Sequence, residues 1–156
     1  EALRKAAARD LRILVLSSHC DEYTVFRAER LHVQGFVDKN TNTVATLKAA
    51  IRAVADGQAW FSEAFLRVKK ARLRDPHSFD KLLTERERIV LALIGEPLTD
   101  IEIAERLKIA SETVEKHRFN ILRKLGLETT AELARYAREH GFTLAARKGA
   151  DGALLP

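Results

Sequence analysis

The chain has 156 residues, 46% of them hydrophobic and 31% charged, with 27 Lys/Arg against 22 Asp/Glu for a net charge of +5 and a pI near 9.6. That length allows one medium domain or two small ones with modest cores, and the basic balance suggests an anionic partner. A single cysteine, Cys20, excludes an intramolecular disulfide framework and a cysteine-cluster zinc site, and no apolar run reaches the ~18–20 residues that span a bilayer, so the expectation is a cytoplasmic protein with no membrane partner.

In chain order, residues 1–8 are alanine-rich and helical in tendency, and 11–16, LRILVL, form a short apolar run that ends at Ser17-Ser18 and reads as a strand. Residues 21–31 read as a helix and 34–37 as a second short strand. Residues 44–55 read as an amphipathic helix with Leu47, Ile51 and Val54 inward and Gly57 as its stop. Alternating strands and helices imply a parallel sheet. His19 beside Cys20 supplies the residue types of a thiolate–imidazole nucleophile. No orienting acid or oxyanion motif accompanies them, and adjacent side chains on a strand point to opposite faces, so no enzyme is expected. Residues 63–80 carry five basic and three acidic residues and contain Asp75-Pro76. They read as a linker, helical at first and broken at the proline, with its basic run solvated.

From residue 83 onward nearly every local signal says helix, short turn, helix. Thr84 with Glu87, Thr99 with Glu102 and Thr129 with Glu132 each have capping-box spacing, in which the hydroxyl accepts from one orphan backbone N–H and the carboxylate reaches back to another. Leu98 and Ile103 flank the second cap as a hydrophobic staple. Only Lys108, Ile109 and Ala110 separate Leu107 from Ser111, a candidate N-cap for the next helix, so the two helices must cross steeply. That next helix, about 112–125, places Val114, Ile121 and Leu125 on one stripe. Glu112, Lys116, Phe119, Asn120 and Arg123 lie opposite, a polar and partly basic face of the kind that can donate to base edges and phosphates in a major groove. Residues 81–142 hold eleven basic and eleven acidic residues, but 85–106 hold three against six and 108–124 five against two. The charge is polarised onto the proposed reading helix. Residues 129–140 read as a further helix with Leu133, Tyr136 and Ala137 on one side, and residues 143–156 as a disordered tail.

LTERERIVL, then EIAERL, then SETVEKHRFNILRKLGL, in this order and spacing, resembles the C-terminal DNA-binding domain of LuxR-type regulators, in particular the NarL/FixJ response-regulator branch. The pattern carries over at Leu83, Thr84, Arg86, Glu87, Leu91, Glu102, Ile103, Ala104, Leu107, Thr113, Val114, His117, Ile121, Lys124, Leu125 and Gly126. Three positions depart from it. Pro97 stands where a helix-ending glycine is usual, Ile101 replaces a commonly polar residue, and Arg118 falls near the apolar stripe. The resemblance implies an all-α four-helix helix-turn-helix domain over 81–142 that binds double-stranded DNA and dimerises through helix 129–140. The candidate DNA contacts are Thr99, Ser111, Thr113, Glu115, Lys116, His117, Phe119, Asn120, Arg123 and Lys124.

The first 62 residues resemble the second half of a receiver domain, a partial flavodoxin-like α/β unit. The features that carry this are the strand ending in Ser17, Gly35-Phe36-Val37-Asp38-Lys39 some twenty residues later, and the helix closing at Gly57. The resemblance implies Ser17 as switch hydroxyl, Phe36 as switch aromatic and Lys39 as phosphate-binding lysine. The acidic pair and the phosphorylated aspartate are expected on strands before residue 1, so this stretch contains no phosphoacceptor, and no cofactor or metal is expected. The leading function is a two-component transcription regulator, with a sensor histidine kinase and RNA polymerase as partners of a full-length form. Two alternatives are a sigma-factor-like promoter-binding helix-turn-helix, and a remnant that dimerises and sequesters partners without binding DNA.

Overall fold

The computed structural model describes residues 11–143, which divide into one unit ending at Asp75 and a second beginning at Pro76. The expected helix over 1–8 lies outside the described residues, as does the expected disordered tail beyond Thr143.

In the first unit, three parallel strands, β1 (Leu14–Ser17), β2 (Gly35–Asp38) and β3 (Trp60–Phe61), lie in the order β1-β2-β3, with Leu14 opposite Gly35, Ser17 opposite Asp38 and Gly35 opposite Trp60. Helix α1 (Glu22–Arg30) connects β1 to β2, and α2 (Val44–Ala55) connects β2 to β3. Both begin on side-chain caps, Asp21 accepting from Thr24 N and Thr43 from Thr46 N. The central strand is buried at all four positions, as a strand covered on both faces must be. Gly35 permits this closeness: a Cβ there would stand 2.4 Å from Leu14 Cδ1 and 2.9 Å from the Trp60 carbonyl oxygen.

Several expectations are corrected. The first strand starts at Leu14 instead of residue 11, and a further strand, β3, spans two residues, too short a run to show alternation in the sequence. On α2, Ala50 and Val54 face the core while Ile51 is 51% exposed. The presumed linker is also largely a structural element. Helix α3 (Glu63–Arg74), capped by Ser62, buries Ala64, Phe65 and Arg72, and Phe65 lies 5.0 Å from the Phe36 ring and 4.8 Å from Phe61. Arg72 pairs with Glu29 of α1 and lies over the Phe26 ring, while Lys69 reaches the other Glu29 oxygen at 2.9 Å. A helix whose basic residues are used in this way belongs to the first unit's core.

The second unit begins with a short helix, α4 (Phe79–Leu82), followed by α5 (Glu85–Ile94), α6 (Asp100–Leu107), α7 (Ser111–Leu125) and α8 (Thr130–Glu139). The capping boxes at Thr84, Thr99 and Thr129 are all formed. Val90, Leu91 and Leu93 of α5 are fully or almost fully buried against α7 and α8, whose own buried residues are Val114, Ile121, Leu133 and Ala137. Phe79 and Phe142 complete the core, edge to face at 4.8 Å and both fully buried, so it extends beyond the expected start at residue 81. Pro97 does not prevent the turn after α5. Gly95 caps that helix in the right-handed region, and Leu98 N–H then donates to the Glu96 carbonyl across the proline at 2.8 Å, a γ-turn that needs no left-handed residue.

Candidate nucleic-acid interface

The geometry of the outward helix starts at the cap of the helix before it. The Thr99 hydroxyl accepts from Glu102 N, and Glu102 Oε2 accepts from Thr99 N at 2.7 Å and from its hydroxyl at 2.8 Å. These bonds from the Thr99 backbone and side chain hold the Glu102 carboxyl below the usual carboxylate range. Helix α6 ends where Lys108 turns into the left-handed region at φ 53°, and Ile109 N–H closes back on the Ala104 carbonyl at 3.0 Å. Arg86 on α5 donates to the Leu107 carbonyl, satisfying one of the last orphan acceptors of α6. Ala110 is the N-cap of α7 and makes no side-chain bond, so Ser111 is the first helical residue instead of the expected cap.

Helix α7 is fixed from behind by Val114 and Ile121, both fully buried, with Leu125 only partly so. Its C-terminus closes on Gly126 at φ 67°, a backbone state that favours glycine. Glu112, Glu115, Lys116, Phe119 and Arg123 are exposed, while Thr113, His117 and Asn120 are half-buried. Two ion pairs set the rotation of the helix. Lys124 Nζ donates to both oxygens of Glu87, at 2.7 and 2.9 Å, and Glu87 also accepts from Thr84 N at 2.8 Å. Burial would raise the Glu87 carboxyl, but the bonds from Lys124 and Thr84 outweigh it and its pKa lies below normal. Arg118 is paired with Asp100 at the start of α6.

The structure therefore groups Thr113, Glu115, Lys116, His117, Phe119, Asn120 and Arg123 along one helix. It assigns Thr99 to a cap, Ser111 to the first helical position and Lys124 to an internal ion pair. Of the five basic residues in 108–124, Arg118 and Lys124 are bound to carboxylates of other helices, so the outward surface is less basic than the sequence count. Glu87 and Asp100 lie 37 and 18 positions away in the chain, beyond the reach of any helical spacing pattern.

The family described as bacterial regulatory proteins, luxR family, matches residues 81–137. The chain is 37% identical over 134 residues to the transcriptional regulatory protein MctR of Rhizobium johnstonii, covering 83% of this chain and 59% of MctR. It is 32% identical over 137 residues to the Fimbriae Z protein of Salmonella typhimurium, covering 87% and 65%. It is also 36% identical over 101 residues to the response regulatory protein YgeK of Escherichia coli, covering 65% and 67%. The chain belongs to the LuxR-type response regulators. It spans about three-fifths of the length of MctR.

In this LuxR-type regulator the receiver-like residues are brought to one end of the sheet. Ser17 ends β1, and its carbonyl accepts from Lys39 N at 2.8 Å, so the hydroxyl and lysine positions are neighbours at the C-terminal ends of parallel strands. The Ser17 hydroxyl accepts from His19 N at 3.0 Å, Lys39 is exposed, and Phe36 is fully buried. Asp38, which sequence reasoning passed over, organises the adjoining loop. It is buried, with one carboxylate oxygen accepting from Asn40 N at 3.1 Å and the other from the Thr41 hydroxyl at 2.8 Å. Among the described residues no group of three His, Cys, Asp or Glu side chains could hold a metal ion, and Asp38 is committed to its loop. Burial, followed by the carboxylates of Asp38 and Asp21, pushes the Cys20 thiol up to about 11, against a thiolate nucleophile beside His19.

Proposed function

We propose that this chain binds duplex DNA through the outward face of α7 and acts as a transcription regulator of the two-component response-regulator type. The observation that supports it best is the exposed Lys116, Phe119 and Arg123 face lying opposite the fully buried Val114 and Ile121. A helix held this way offers donors to a groove without unfolding anything to do so. MctR, named as a transcriptional regulatory protein, supports the same reading by similarity.

In this reading Lys116, Asn120 and Glu115 read base edges, Arg123 meets a phosphate, and Thr113, His117 and Ser111 line the approach. Residues 1–62 act as the second half of a receiver, a homodimer forms through the exposed side of α8, and the longer form meets a sensor kinase and RNA polymerase in the cytoplasm. Helix α8 spends Leu133 and Ala137 on the core, which leaves Ala131, Arg135, Arg138 and Glu139 for a second copy. Titration of labelled duplex from a randomised library over a salt series tests the central claim. Lys116→Ala should weaken specific binding by about 1–3 kcal/mol, and Arg123→Ala should lower the salt slope by about one unit. A folded chain with no salt-dependent binding to any duplex would instead support the sequestering dimer.

A further inference from the structure

Among the exposed large apolar residues, Phe119 is 64% exposed and is the one that lies on α7. At about 100° per residue its Cβ points some 160° away from buried Ile121 and 140° from buried Val114, which places it on the outward face. Lys116 stands one turn before it and Arg123 one turn after, both on one flank, and Glu115 lies on the other flank. The exposed positions that share this face at helical spacing, 112, 115, 116 and 123, are all charged, and Leu122, three residues after Phe119, is half-buried. A helix that docks into a protein groove needs apolar anchors repeated at i, i+3 or i+4, and i+7, and this face has a single ring.

We infer that Phe119 is a specificity-determining residue that packs against the C5-methyl group of a thymine in the major groove. The inference rests on the reading of α7 as the DNA-contacting helix. A phenyl ring has no donor or acceptor for a base edge, and the apolar group that the base edges present in the major groove is the thymine methyl. Glu115 beside the ring repels phosphates on that flank, so the ring faces the groove floor while Lys116 and Arg123 offer charge on the other side. Cytosine in place of this thymine would expose the ring to a polar N4 amine and remove its apolar contact.

The test uses the full chain and the best duplex recovered from a randomised library. Each thymine is replaced singly by deoxyuridine, which deletes the methyl group and leaves every hydrogen-bonding atom in place. One methyl buried against a ring is worth ~0.8 kcal/mol, about fourfold in affinity. One such replacement should therefore weaken the wild-type protein about fourfold, and the same replacement should have no effect on Phe119→Ala, whose salt slope should match the wild type. Phe119→Leu, which keeps an apolar contact, should retain part of the discrimination. A recovered site with no thymine sensitive to methyl loss would overturn the inference while leaving DNA binding intact. A thymine whose methyl penalty persists in Phe119→Ala would overturn it as well. Absence of wild-type binding to any duplex would overturn the underlying reading, and this inference with it.

Discussion

Replacing Lys124 should destabilise the second unit and leave DNA contacts to phosphate unchanged. The Glu87 side chain is 6% exposed and Lys124 31%, and the ammonium bridges both carboxylate oxygens. Deleting one partner of a fully buried pair costs about 3–5 kcal/mol, and an exposed pair contributes about 0–1 kcal/mol. Water can partly reach the place Lys124 vacates, and Thr84 N still donates to Glu87, so Lys124→Ala should cost about 1.5–3 kcal/mol. Urea unfolding by far-ultraviolet circular dichroism measures this, with Trp60 fluorescence reporting the first unit as an internal control. A folded-state carboxyl pKa below normal means that the pair's contribution is present above the ordinary carboxylate range and is lost as pH falls through the folded value. The stability gap between Lys124→Ala and the wild type should therefore be full at neutral pH and narrow as pH falls through the carboxylate range. Glu87→Gln/Lys124→Met should be less destabilised than the sum of its single changes, because each single change strands a charge and the double change leaves none. Unchanged stability together with a salt slope reduced by about one would refute the reasoning, since it would mean that Lys124 leaves Glu87 to neutralise a phosphate.

The core contact between Phe79 and Phe142 predicts that a fragment of residues 76–143 is more stable than one of residues 81–143, and that Phe79→Ala costs about 3–5 kcal/mol by thermal unfolding. Lys108→Gly relieves a left-handed non-glycine residue between α6 and α7 and should raise stability by about 0.5–1 kcal/mol; a lower melting midpoint would show that the turn is not strained. Among the described residues β1 pairs on one side only, with β2. Val15→Lys should therefore reduce any self-association through this edge, and an unchanged mass in light scattering of an associating sample would remove the edge as its contact.

Local chemistry by itself determined three helix starts of the second unit, those of α5, α6 and α8, because a threonine and a glutamate three residues apart satisfy each other's backbone groups without help from the rest of the chain. It also determined that α7 has an apolar back at Val114 and Ile121 and a polar front, since that follows from 3.6-residue periodicity. The parallel sheet of the first unit was readable from the alternation of short strands and helices. Which basic residues remain outward was decided only in three dimensions. In one dimension Lys124 reads as a DNA contact, Arg118 as a residue near the apolar stripe and Arg72 as a solvated cation, and each is bound by a carboxylate 37, 18 or 43 positions distant, a separation across which sequence patterns carry no signal. The same holds for Phe79 and Phe142. Two rings at opposite ends of a unit become core residues only because the helices between them bring those ends together, and burial there outweighs the polar, loop-like composition that surrounds each.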